Sequence, residues 1–246
     1  MTRPKTHFGY RSVGLDEKTR LVSGVFDSVA HRYDLMNDLM SFGIHRAWKR
    51  FAVAVSGLRP GARVLDLAGG TGDMAARIWP RLGARGQLVL ADINEPMLRL
   101  GRRRLLNAGA AATACVRCDA ENLPFADARF DCVMMAFGLR NVTRKENAVA
   151  SVHRVLKPGG RFIVLDFSSP APALRAAYDW YSFNVIPRLG RRVAGDEDSY
   201  RYLVESIRKH PDQAQLTDLL AGAGFERCRC FNLSGGIAAV HRACKL

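Results

Sequence analysis

An acid, a glycine-rich run and a second acid about 20 residues further on form the part of this chain best suited to chemistry. The run is Val64-Leu65-Asp66-Leu67-Ala68-Gly69-Gly70-Thr71-Gly72-Asp73, and Asp92 closes the apolar segment that follows it. A strand that breaks into glycines before a helix lets backbone approach a ligand closely. An acid at the end of the next strand accepts hydrogen bonds from both hydroxyls of a ribose. The pattern predicts an adenosine site in a doubly wound α/β sheet.

A dinucleotide site requires G-x-G-x-x-G, and in that register Asp73 stands where the third glycine belongs. A carboxylate there would also repel the pyrophosphate that a helix N-terminus attracts. The run is instead similar to the D-x-G-x-G-x-G loop of S-adenosylmethionine (SAM) enzymes, with Ala68 in place of the first glycine. SAM carries a sulfonium and no phosphate, so a nearby acid is tolerated. On this reading Asp66, Ala68, Gly70 and Thr71 form the loop contacts, Asp92 holds the ribose and Ile93 packs on the adenine. Asp119, with Ala120 beside it, accepts from the adenine amino group or caps the turn before Leu123-Pro124-Phe125.

The elements that position these residues alternate. Strands are expected over Arg63 to Ala68, Gln87 to Ala91, Thr113 to Cys118, Phe130 to Ala136 and Arg161 to Phe167. The helix after the glycine loop runs until Pro80 stops it. Asn94 caps the next, with Pro96 in its first turn and Met97, Gly101 and Leu105 inward. Thr143 and Glu146 suggest a capping box, Lys157-Pro158-Gly159-Gly160 a turn, and Pro211 to Ala223 a helix. Phe225 to Phe231 and Ile237 to Cys244 read as a closing hairpin. Residues 1–60 form a helical N-terminal segment, with helix over Val22 to Arg50, and 168–209 an inserted cap over the site, all within one domain spanning 1–246.

Phe137-Gly138-Leu139-Arg140-Asn141-Val142 follows the fourth strand. Amino-directed nucleic-acid methyltransferases carry Asn/Asp-Pro-Pro-Tyr/Phe there to hold an extruded base. Here an Arg140-Asn141 pair faces the substrate side, unless it is only a surface arginine and a turn asparagine. Tyr33, Asp34, Asn37 and His45 are clustered polar residues that either serve the site or satisfy a core. Tyr178, Trp180, Tyr181 and Phe183 are core or substrate wall.

Lys and Arg number 37 against 23 Asp and Glu, a net charge of +14. That balance suggests an anionic partner or reflects compositional bias. The missing base clamp argues for a membrane surface over nucleic acid. No apolar run approaches the roughly 18 residues of a membrane span, and Met1 to Val13 lacks a signal-like stretch. Cys115 and Cys118 fall on opposite strand faces, and Cys228 and Cys230 lack a partner at zinc spacing. Reduced thiols, no metal and a cytoplasmic setting are expected.

Several runs together resemble one family. They include Thr6-His7-Phe8-Gly9, Tyr33-Asp34, Met36-Asn37-Asp38, Ser41 to His45, the Leu65 to Asp73 loop, Ala91 to Asn94, Phe137 to Val142, Leu156 to Gly160, Tyr181-Ser182-Phe183, Asp198 to Tyr202 and His210 to Gln213. This chain is similar along nearly its whole length to the UbiE family of bacterial demethylmenaquinol and 2-methoxy-6-polyprenyl-1,4-benzoquinol C-methyltransferases. The resemblance implies a class I SAM-dependent methyltransferase, a Rossmann-like seven-stranded sheet with a terminal antiparallel hairpin. It implies cofactor contacts at Thr71, Asp92, Asp119 and Ala120. Ala136 departs from the family's serine and leaves a backbone or packing contact.

The implied reaction is transfer of a methyl group to a ring carbon of a polyprenylated quinol in ubiquinone or menaquinone biosynthesis. Arg140 would stabilise the quinol oxyanion, and a water held by Asn141 or Tyr33 would take the proton. Peripheral contact with anionic lipid on the inner face of the bacterial plasma membrane, other quinone-biosynthesis enzymes as partners, and a homodimer complete the expectations. The competing readings are an O- or N-methyltransferase of a soluble metabolite and a nucleic-acid-binding protein.

Overall fold

The computed structural model describes residues 5–246 apart from 30–34, 36, 39–40 and 195. A hairpin of β1 (Lys5–Phe8) and β2 (Arg11–Gly14) leads into α1 (Leu15–Val29) and α2 (His45–Ser56). Then follow β3 (Arg63–Leu67), α3 (Asp73–Leu82), β4 (Gln87–Asp92), α4 (Glu95–Asn107), β5 (Ala114–Arg117) and β6 (Phe130–Ala136). A 3₁₀ turn at Leu139–Asn141 precedes α5 (Lys145–Val155) and β7 (Leu156–Phe167). Next come α6 (Pro172–Trp180), a π turn at Tyr181–Val185, α7 (Ile186–Ala194) and α8 (Glu197–Lys209). The chain closes with α9 (Gln213–Gly222), β8 (Glu226–Leu233) and β9 (Ala238–Cys244).

The seven-stranded sheet has the order β5-β4-β3-β6-β7-β9-β8, with β9 antiparallel to both neighbours. The remaining pairings, β3 with β4 and β6, β4 with β5 and β6 with β7, are parallel. Strand order reverses between β3 and β6, which opens a crevice at their carboxyl ends. Period-two alternation sends Val64 to one core with α1 to α4 and α8, and Leu65 and Leu67 to a second core with α5 and α9. Cys115 and Cys118 pack against different cores, as their odd separation requires.

Several local expectations need correction. Helix α3 continues through Pro80 to Leu82, because a proline so near the C-terminus removes a single late hydrogen bond. No capping box forms at Thr143. Arg144 takes the N-cap position, and its backbone N–H and Nε both donate to Glu121, at 2.9 and 2.6 Å. The expected turn Lys157 to Gly160 lies inside β7, where Gly159 at φ +78° accompanies a register shift against β6. Pro211 precedes α9, whose capping box is made by Asp212 and Gln215. The first strand ends at Leu67, and Ala68 adopts φ +52° as the chain turns into the loop. Residues 5–14 form a hairpin within the segment expected to be helical, and α1 starts at Leu15, ahead of the expected Val22.

The expected start of α4 is present: Asn94 Oδ1 accepts from Met97 N at 2.9 Å. Met97, Gly101 and Leu105 are buried. Gly101 lets α4 approach the glycine loop, since a Cβ there would lie 2.7 Å from Gly70 O and 2.6 Å from Leu90 Cδ2. Gly101→Ala should therefore cost about 1–3 kcal/mol by overpacking, seen as a lower urea midpoint at unchanged m-value.

Candidate active site

The carboxyl ends of β3, β4 and β6 surround a cavity of about 1070 Å³, counting its open mouth. Asp66, Ala68, Gly70, Thr71, Asp92, Ile93, Asp119, Ala120, Ala136 and Asn141 all line it. The Asp92 carboxylate is buried and anchored: Oδ2 accepts from Gly70 N and Oδ1 from Asn94 N, both at 2.8 Å. Burial raises its pKa, against the pull of those amides. Each carboxylate oxygen has a further lone pair for a ribose hydroxyl. Gly70 sits at φ +51°, where a Cβ would meet Met97 Cε at 2.9 Å. The donor set and the cradle therefore fit a nucleoside.

Asp119 makes the turn cap of the two roles expected for it. Its Oδ1 accepts from Glu121 N at 2.9 Å as a turn cap, while the exposed residue still faces the cavity. Thr71 Oγ1 accepts from Arg104 Nη1 at 3.2 Å. Asp66 lies under Gly69, whose added Cβ would sit 2.7 Å from Asp66 Oδ2. It is fully buried, with no well-formed hydrogen bond to either oxygen. Burial drives its pKa up to about 8, with the Ala75 amide and the Lys49 charge opposing.

Two contributors escaped the sequence reading. Thr19, Val22, Ser23 and Phe26 of α1 form one cavity wall, and Val22, Val25 and Phe26 at helical spacing were the available signal. Lys49 of α2 is buried on the same cavity, and its Nζ donates to Asp73 Oδ2 at 2.8 Å. Burial alone would raise the Asp73 pKa. Lys49 and Arg77 outweigh it and bring the group to about 2.

Arg140 does not line this cavity. Its side chain is fully buried, and Nη1 donates to Asp166 Oδ1 at 2.8 Å and to Phe137 O at 2.6 Å. Its backbone N–H reaches Asp166 Oδ2 at 3.2 Å. The expected placement of its charge toward the substrate is thus corrected, because Asp166 at the end of β7 draws the guanidinium behind the wall. Asn141 does reach the cavity and accepts from the Tyr202 hydroxyl at 3.1 Å.

Tyr33 and Asp34 lie outside the described residues. Asn37 is buried, and His45 is buried with Nε2 2.8 Å from Asp38 Oδ1, its pKa lowered chiefly by burial. The aromatic group divides: Tyr178 is core, while Trp180 and Phe183 are exposed. Among the described residues no His, Cys, Asp and Glu grouping could hold a metal, and no helix is long and apolar enough to cross a membrane.

A nucleoside cradle at the switch point of this strand order defines a class I SAM-dependent methyltransferase. The same fold occurs in a SAM-dependent methyltransferase from Aquifex aeolicus, with TM-score 0.62, 17% identity and coverage of 95% of this chain and 100% of that one. A SAM-dependent methyltransferase from Thermotoga maritima gives TM-score 0.64 at 20% identity, covering 92% and 100%. The model of the ubiE/COQ5 methyltransferase family matches residues 13–245, and the chain belongs to that family. The Ubiquinone/menaquinone biosynthesis C-methyltransferase UbiE of Erwinia tasmaniensis is 58% identical over 246 residues, covering 99% of this chain and 98% of its own. The enzyme of the same name from Coxiella burnetii is 57% identical with the same coverage.

Asp66 yields a pH test. Burial pushes its carboxyl from the ordinary 3.8 up to about 8 in the fold. Between those limits the unfolded chain has released a proton that the fold keeps, so this group's contribution to stability falls as pH rises. Asp66→Asn should raise the melting temperature of the cofactor-free protein relative to wild type, by an amount that grows from pH 5 to about pH 8 and then levels. A difference independent of pH would contradict the assignment.

Proposed function

We propose that this enzyme transfers a methyl group from SAM to a ring carbon of a polyprenylated hydroquinol, in ubiquinone and menaquinone biosynthesis. The observation that carries the reading is the likeness along nearly the whole chain to ubiquinone/menaquinone biosynthesis C-methyltransferases, and Asn141 faces the same cavity as the Asp92 nucleoside cradle. Asp66, Ala68, Gly70, Thr71, Asp92, Ile93, Asp119, Ala120 and Ala136 would hold the cofactor. When bound, it supplies an electrophilic methyl group on sulfur.

The chain's own residues then align and deprotonate the acceptor. A hydroquinol ring carbon is nucleophilic, and more so as a ring hydroxyl loses its proton. The apolar cavity wall of Val22, Phe26 and Phe137 would pack against the ring face and leave the polar edge at Asn141 open to water. The carboxamide N–H of Asn141 stabilises the developing oxyanion, and a water beside Asn141 takes the proton, with Tyr33 as a second holder. Arg140 acts from behind, tying the Leu139–Asn141 turn to Asp166. Residues 1–246 work as a single domain, with 168–209 as the substrate cap; the support is α8, which sets Tyr202 against Asn141.

The reading favours attachment to the inner face of the plasma membrane. Arg188, Arg191 and Arg192 recur at i, i+3 and i+4 on α7 and are exposed, close in sequence to exposed Trp180 and Phe183. Such a face holds the enzyme where a prenyl tail resides.

Labelled SAM offered with reduced quinols, phenols and soluble amines tests the chemistry. Label should enter the quinol ring carbon, whereas label on oxygen or nitrogen would overturn the reading. For the surface, replacing Arg188, Arg191 and Arg192 by Gln should weaken sedimentation with phosphatidylglycerol vesicles, by about 1 kcal/mol per arginine. Equal pelleting with neutral vesicles removes the electrostatic contact.

A further inference from the structure

Two sequence motifs have no role in the chemistry above, Phe8-Gly9 in the N-terminal hairpin and the Asp198 to Tyr202 run of α8. They meet at Tyr202. Its ring stacks on Phe8 with centroids 4.1 Å apart and planes 13° from parallel. The hairpin grips the same helix again, since Tyr10 N donates to Glu205 Oε2 at 3.0 Å. Gly9, at φ +57°, leaves no room for a Cβ beside the Glu205 side chain. The clamp delivers the buried Tyr202 hydroxyl to Asn141 Oδ1 at 3.1 Å.

The orientation of the Asn141 amide follows from its two neighbours. The Phe137 carbonyl can only accept, so the amide atom facing it at 3.5 Å is Nδ2. Oδ1 then faces Tyr202. Burial holds the Tyr202 phenol protonated, well above its ordinary range, with the Arg140 charge opposing. The hydroxyl therefore stays a donor throughout the working pH range.

We propose that Tyr202 is a positioning residue that locks the Asn141 carboxamide with its N–H edge toward the reacting ring oxygen. Without the hydroxyl only the longer 3.5 Å contact with the Phe137 carbonyl opposes a turn-over of the amide, which would present a carbonyl oxygen to a quinolate and repel it. The inference rests on the reading of Asn141 as a quinol contact. It also gives the N-terminal hairpin a function, since Phe8 holds Tyr202 in place.

The test is a double-mutant cycle of Tyr202→Phe and Asn141→Ala in the full-length enzyme. Turnover is measured with labelled SAM and a reduced short-chain quinol, and cofactor affinity by calorimetry with S-adenosylhomocysteine. Phe keeps the stack on Phe8 and removes only the hydroxyl. Tyr202→Phe should lower kcat about tenfold, the scale of one net hydrogen bond, with KM and homocysteine-nucleoside affinity within about twofold. In the Asn141→Ala background the same change should have no further effect. Single effects that multiply in the double variant, or a Tyr202→Phe enzyme with normal kcat beside an impaired Asn141→Ala, would overturn this inference and leave the quinol reading intact. An Asn141→Ala enzyme with normal kcat would instead overturn the role of Asn141, and the inference with it.

Discussion

The contact on which the site depends is the Asp92 carboxylate bridging Gly70 N and Asn94 N. One side chain at the end of β4 joins the glycine loop after β3 to the start of α4. Parallel pairing of β3 with β4 sets the register that makes this reach possible, with Leu67 opposite Ala91. Gly101 then lets α4 lie against the loop from the other side. A loop carrying positive φ at Ala68, Gly70 and Gly72 would otherwise be a costly excursion. Here it is braced on two elements and lines the cavity.

Around this cradle the charges are arranged in depth. Arg140 with Asp166 is a buried pair behind the cavity wall, and Lys49 with Asp73 a half-buried one on it. Pairs of this kind gain little net stability over apolar replacements, while losing one partner is costly, typically about 3–5 kcal/mol. Their value here is geometric. Asp166 receives both the guanidinium and the backbone N–H of Arg140, which fixes the turn that carries Asn141. Lys49 keeps Asp73 ionised at the start of α3, where a carboxylate complements the helix dipole.

The covering elements arrive from distant parts of the chain. Helix α1 walls the cavity with Thr19, Val22, Ser23 and Phe26 and is tied to α8 through Ser28 and Asp196, 2.6 Å apart. Asn94 at the head of α4 also donates to Asp27 of α1 at 2.7 Å. Helix α1 is thus tied both to the start of α8 and to the head of α4 beside the glycine loop.

Residue types and spacing alone determined the α/β rhythm, the nucleoside loop with its acid partner, and the Asn94 cap, because each depends on residues within about one strand–loop–helix unit. They also carried the family resemblance. Local spacing misplaced the ends of α3 and β7 and suggested a capping box at Thr143, where a glutamate 23 residues away competes for the Arg144 N–H. Only the tertiary structure decided that Arg140 turns inward to Asp166 while Asn141 turns outward. The two are chain neighbours on one 3₁₀ turn, and the sides they face are set by β7 and α8, elements 26 and 61 residues further along.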